Sequence, residues 1–171
     1  GTASGRAVQL NTDGTVSVLA APPGHASGTT ISATSIADDG SIAGRTTIAI
    51  PHGDHFHNEL RGIVWRNGEA TVLDVPAGAS VPVVTEVTDH GVAYGSVTIA
   101  GKDTAVMWEE DGTPVVLDTP AVGTYTHARA NAATDDEVVV GSVAQMAGNT
   151  SFGAAAIAWD AHGPVDLSTR V

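Results

Sequence analysis

The sequence predicts an all-β, antiparallel fold assembled from repeated hairpins, and three observations carry that expectation. A phrase ending in a large apolar residue occurs four times: Ala7-Val8-Gln9-Leu10, Ile63-Val64-Trp65, Ala105-Val106-Met107-Trp108 and Ala156-Ile157-Ala158-Trp159. Each is followed by a turn dipeptide (Asp13-Gly14, Asn67-Gly68, Asp111-Gly112, His162-Gly163) and then by a short apolar run ending at Leu19, Leu73, Leu117 or Leu167. A second phrase alternates with the first: Ile36 to Gly44, Val87 to Gly95 and Ala133 to Gly141, each holding Asp-Gly or a near relative between apolar segments. Two short apolar segments flanking such a dipeptide signal a hairpin, because the turn needs positive φ at its centre. The third observation is compositional. Aromatics are only 4% of the chain, so the core must be built from many small contacts of Ala, Val and Ile, which favours sheets over a helix bundle.

Taken in order, residues 6–19 form one hairpin of the Trp type with no Asp-Gly hairpin before it. Three complete units follow at 31–74, 82–118 and 127–167, each an Asp-Gly hairpin and then a Trp hairpin. Ala154-Ala155-Ala156-Ile157-Ala158 is rich in alanine, yet it aligns with the strand that carries the tryptophan and is read as strand. The tryptophans recur at intervals of about 40–50 residues with four strands per interval, the period of propeller blades. The expected architecture is therefore an antiparallel, propeller-like single domain over 1–171, with three four-stranded blades and an N-terminal outer hairpin.

The Asp-Asp-Gly-Ser-Ile-Ala-Gly phrase at 38–44, the following Ile63-Val64-Trp65 and the distal Val72-Leu73-Asp74 resemble the extracellular repeats called HAF repeats. The resemblance covers about 160 residues, and its motifs are structural. It implies a propeller-like fold and a secreted or extracellular location. It also implies that Asp-Gly hairpins lie inside and Trp hairpins outside in each blade, and that loops between second and third strands share a ligand-binding face with the inter-blade loops. The sequence departs from the pattern at Leu10, where the first unit lacks its tryptophan, and at Glu137, which replaces a turn glycine. An unpaired hairpin at 6–19 leaves a sheet edge that attracts another chain, so a homo-oligomer or association with another propeller fragment is expected.

Composition narrows the partners. The formal net charge is −12, and Lys102 and the arginines stand singly, so no basic cluster exists to neutralise phosphates. Nucleic acid and anionic membrane surfaces are not expected as partners. With no cysteine, disulfides and thiolate metal sites are excluded.

Two groups of residues could carry chemistry. His52, Asp54, His55 and His57 lie in a polar insertion peculiar to the first complete unit, and alternate residues of an extended segment face the same way. Neutral imidazole is a common ligand for divalent transition metals, so these residues are candidate ligands for zinc or nickel, near His25 and His127 on the loop face. Tyr125, His127 and Arg129 alternate at the start of a strand and are candidates for lining a central funnel and holding an anionic ligand, the expected partner being a small molecule, a glycan or a protein. The aspartates of the Asp-Gly phrases belong to turns, where Asp bonds its own backbone. The sequence has no Gly-x-Ser-x-Gly elbow, no phosphate loop and no dinucleotide fingerprint. The leading expectation is a secreted, non-catalytic binding module. The alternatives are a metal-dependent lyase or hydrolase using the His52–His57 segment, and a structural subunit that completes a ring with another chain.

Overall fold

The computed structural model describes residues 2–3, 5–120, 125–147 and 150–170. The chain forms four antiparallel sheets in sequence order. The first holds β1 (Thr2–Ala3), β2 (Arg6–Leu10) and β3 (Val16–Val18), and the second β4 (Ser32–Ile36), β5 (Ile42–His52), β6 (His55–Arg66) and β7 (Glu69–Val72). The third is β8 (Ala79–Val87), β9 (Ala93–Ile99), β10 (Lys102–Trp108) and β11 (Pro114–Val116). The fourth is β12 (His127–Ala133), β13 (Val139–Ala147), β14 (Thr150–Asp160) and β15 (Gly163–Asp166). A 3-10 turn over Leu167–Arg170 follows. Each sheet is a meander in which neighbours in sequence are neighbours in space. The first differs from expectation in one respect: the two-residue β1 pairs with Arg6 and Ala7, a strand too short to leave an alternating pattern.

The Asp-Gly turns share one construction. In the β2–β3 turn the Asn11 N–H donates to the Thr15 carbonyl and the Gly14 N–H to the Asn11 carbonyl. The β4–β5, β8–β9, β10–β11 and β12–β13 turns repeat this pair of bonds. The residue before the exit must be left-handed, which is why glycine stands there; Glu137 adopts φ 60° at the same place, with the strain an L side chain incurs. Asn67 and Gly68, at φ 51° and 82°, instead form the two-residue turn between β6 and β7.

Successive sheets are packed face to face by three apolar clusters. Ala7 and Leu19 of the first sheet region meet Ile31, Ile42, Ile63 and Trp65. Ala43, Val64 and Leu73 meet Val84, Val97, Val106 and Trp108, and the third cluster joins Tyr94 and Ala105 to Val143, Ile157 and Trp159. The tryptophans occupy equivalent places on β6, β10 and β14. Each is buried and sends its indole N–H to a carbonyl just past the end of the preceding sheet: Trp65 to Ala20 at 2.7 Å, Trp108 to Asp74 at 2.7 Å and Trp159 to Asp118 at 2.6 Å. Burial on this scale contributes about 3 kcal/mol or more per tryptophan, so these rings are structural.

The first strands of the sheets are stitched together as well. β4, β8 and β12 each carry a bulge, at Thr34, Thr85 and Asn131. The Thr34 hydroxyl donates to the Val84 carbonyl at 3.1 Å and that of Thr85 to the Ala130 carbonyl at 2.9 Å, sheet to sheet. Among the described residues substantial contact joins each sheet only to the next, so the four form an open series.

Candidate ligand-binding face

Strand direction sorts the loops onto two ends. The turns after the first and third strands of each four-stranded sheet, and the β2–β3 turn, lie at one end, here the turn end. The β5–β6, β9–β10 and β13–β14 hairpins and the connectors between sheets lie at the other, the loop end. The turn end is locked across sheets: the Asp39 N–H donates to Asp89 Oδ1 and the Asp89 N–H to Asp135 Oδ1, both at 2.9 Å. Arg66 pairs with Glu110 at the same end. The turn aspartates are thus engaged with backbone, as Asp39 is with the Ser41 N–H at 2.7 Å. His90 and His162 lie at this end, and His25, His52, His55, His57 and His127 at the other.

The polar insertion is a projecting hairpin. β5 and β6 continue their ladder to the pair His52 and His55, with Gly53 and Asp54 as a two-residue turn. The ring of His52 lies 5.2 Å from that of His55 and 5.8 Å from that of His57, centre to centre. His57 Nε2 is 2.6 Å from Glu59 Oε1, and Glu59 also pairs with Arg61. The His57 hydrogen bond, with the Arg61 charge, holds the Glu59 carboxyl below the usual range. Asp54 lies beside His55, 3.2 Å from its Nδ1. His25 is not at this tip: its Nδ1 is 2.8 Å from Thr46 Oγ1 and its backbone bridges Ile48, roughly 13 Å of strand away from His52. Among the described residues no group of three His, Cys, Asp or Glu side chains is placed to hold a metal ion.

Three adjoining clefts follow the loop end from the second sheet to the fourth. The largest, 560 Å³, runs beside Glu59 and Arg61 under the 75–81 connector. The next, 300 Å³, is walled by Val81, Val83, Asp103, Arg129 and Asn131, and a third of 260 Å³ by Asp103, His127, Arg129, Ser142, Met146 and Ser151. Arg129 and Asp103 stand between these two, with Arg129 Nε donating to Asp103 Oδ2 at 2.8 Å. Because Nη2 uses the same oxygen, this pair leaves Asp103 Oδ1 as an acceptor and Arg129 Nη1 as a donor, on two residues that line both clefts. Val81 separates the first cleft from the second at φ 52°, a conformation that strains a β-branched residue and recurs at binding sites.

The structure therefore brings His127 and Arg129 into one cleft, as their alternation on β12 dictates, while Tyr125 lines a neighbouring cleft of 390 Å³ that shares Asp103 and Ala128 with it. The Tyr125 hydroxyl donates to Asp166 Oδ2 at 3.1 Å. Asp166 also accepts from the hydroxyl and backbone N–H of Ser168, and these bonds hold its carboxyl below the ordinary range. Asp103, Arg61 and Val81 carry no signal in the sequence: each is a single residue whose partner comes from a different strand or sheet. No helix among the described residues is long and apolar enough to cross a membrane. No family model, curated protein or solved structure matches the chain.

Proposed function

We propose that the chain is a secreted, non-catalytic binding module of propeller type that recognises a hydroxyl-rich ligand, such as a glycan, through its loop end. The observation that carries this reading is the run of clefts centred on the Asp103–Arg129 pair. A carboxylate beside a guanidinium offers acceptors and donors at fixed spacing, which suits neighbouring hydroxyls, and Ala128, Ala144 and Met146 supply apolar surface beneath. A strongly anionic chain disfavours anionic ligands and leaves neutral or cationic ones, of which the neutral, hydroxyl-bearing kind suits a carboxylate and guanidinium already paired with each other. The resemblance to extracellular repeats supports the propeller arrangement and export.

Nitrogen-15-labelled protein titrated with a panel of neutral oligosaccharides tests the reading. Amide shifts are expected at Val81, Asp103, His127 and Arg129, and Asp103→Ala should weaken binding about tenfold, the loss of one charge-assisted contact, while the fold stays intact. Shifts confined to the turn end, or none, overturn it. The nearness of three imidazoles favours a second reading, a metal-dependent lyase or hydrolase on the His52–His57 hairpin, which requires those rings to reorient about an ion. Zinc or nickel would then raise the melting temperature near neutral pH and not near pH 5, and a His55→Ala, His57→Ala double variant would lose the effect.

A further inference from the structure

The second and third junctions between sheets use the same registers, and the first uses the same ones on its tryptophan side, where Ile63 and Trp65 meet Ala7 and Leu19. At the second junction Trp108 and Val106 of the third sheet cover Ala43, Val64 and Leu73 of the second. At the third, Trp159 and Ile157 cover Tyr94, Met107 and Leu117. Carrying the strand pairings one sheet further puts Val140, Ala158 and Leu167 in those three places on the fourth sheet. Two of them are exposed there: Val140 is 43% exposed where Ala43 and Tyr94 are 0%, and Leu167 is 38% exposed where Leu73 is 2%; Ala158 between them is half-buried. At the opposite end of the series Leu10 stands at the register of the three tryptophans, opposite Val16 as Trp108 is opposite Pro114. It is 72% exposed, and Val16 and Val18 beside it are exposed too.

The two end faces thus continue an interface that the molecule already forms twice with matching registers, one face presenting each side of it. Neither carries a charged side chain at these registers, which matters for copies that each bear a net charge of −12. We propose that the first sheet of one copy docks on the fourth sheet of another, head to tail. Leu10 then takes toward Val140, Ala158 and Leu167 the place that Trp108 takes toward Ala43, Val64 and Leu73. A second copy is the fitting occupant because the fourth sheet is shaped for a sheet of this same repeat, and the first sheet is the one whose outward side is apolar and open. Leu10 has no side-chain N–H to donate as the three indoles do, so this contact is weaker than the internal ones. Such a heterologous contact leaves a free face at each end of a pair, and further copies can add. The inference does not rest on ligand binding at the loop end.

Sedimentation equilibrium over rising concentration reads the assembly. The unaltered chain is expected to exceed the mass of one copy. Leu10→Asp and Val140→Asp each place a carboxylate on one face only, at exposed positions, and circular dichroism checks that both fold; Val16→Asp and Val138→Asp, the latter exposed and two residues before Val140, replace either one that does not. Each variant alone should stay at one copy, whereas an equimolar mixture should form particles of two copies, because each variant keeps the face the other has lost. An unaltered chain that remains single up to about 1 mM overturns the proposal. So does a variant that still associates by itself, or a mixture that stays single.

Discussion

The hydroxyl of Tyr94 is buried between the third and fourth sheets with no hydrogen-bond partner among the described residues. Burial, with the charge of Glu137 nearby, pushes its pKa up to about 12. A buried donor left unpaired costs more than a made bond returns, so Tyr94→Phe should raise stability by about 1 kcal/mol in urea denaturation; a loss of that size would reveal a partner. Asp166 is the opposite case, a carboxylate satisfied by the Ser168 hydroxyl and N–H and by Tyr125. Because its folded pKa lies below the unfolded value, its contribution is fully present above about pH 4 and is lost as pH falls through the folded value. The melting temperature of the unaltered protein should therefore drop from pH 5 to pH 2, and Asp166→Asn should flatten that dependence while lowering stability at neutral pH.

Among the strands, the second of each four-stranded sheet shows how glycine sets the geometry. A Cβ on Gly44 would lie 2.1 Å from the Ser32 carbonyl oxygen and 2.9 Å from the Trp65 ring; Gly95 and Gly141 meet the Val83 and Arg129 carbonyl oxygens at 1.9 and 2.0 Å. The bulges on β4, β8 and β12 press the first strand onto the second, and the tryptophan edge closes two of the three sites from the other side. Gly44→Ala is expected to destabilise by about 3 kcal/mol through overpacking, whereas Gly153→Ala, in open space, should change stability by less than about 0.5 kcal/mol. Equal urea midpoints for the two would refute the close-approach account. The all-β class and the hairpins were legible because their causes are local: left-handed turn glycines and alternating apolar residues. The reason for Gly44 was not, since it depends on a bulge in another strand. The His52–His57 segment reads as a polar insertion because its ladder lies beyond the packed core, where no apolar alternation marks the strands. Asp103 and Arg129 meet only after two sheets have packed, and no spacing along the chain announces that.

On the scale of the whole molecule, stability should grade along the series, because among the described residues substantial contact supports each sheet only from its neighbours. The third sheet is covered on both faces, while the first has three strands and one open face. Native-state hydrogen exchange is expected to be slowest in β9 and β10 and fastest in β2 and β3; uniform protection would mean that the four sheets open as one unit. The indole-to-carbonyl links make that gradient observable in another way. Trp65 spans only the first junction, Trp108 the second and Trp159 the third, so the molecule carries one spectroscopic label per junction. With 5-fluorotryptophan in place of tryptophan, three fluorine resonances would report three separate openings in rising urea, with that of Trp65 moving before that of Trp108.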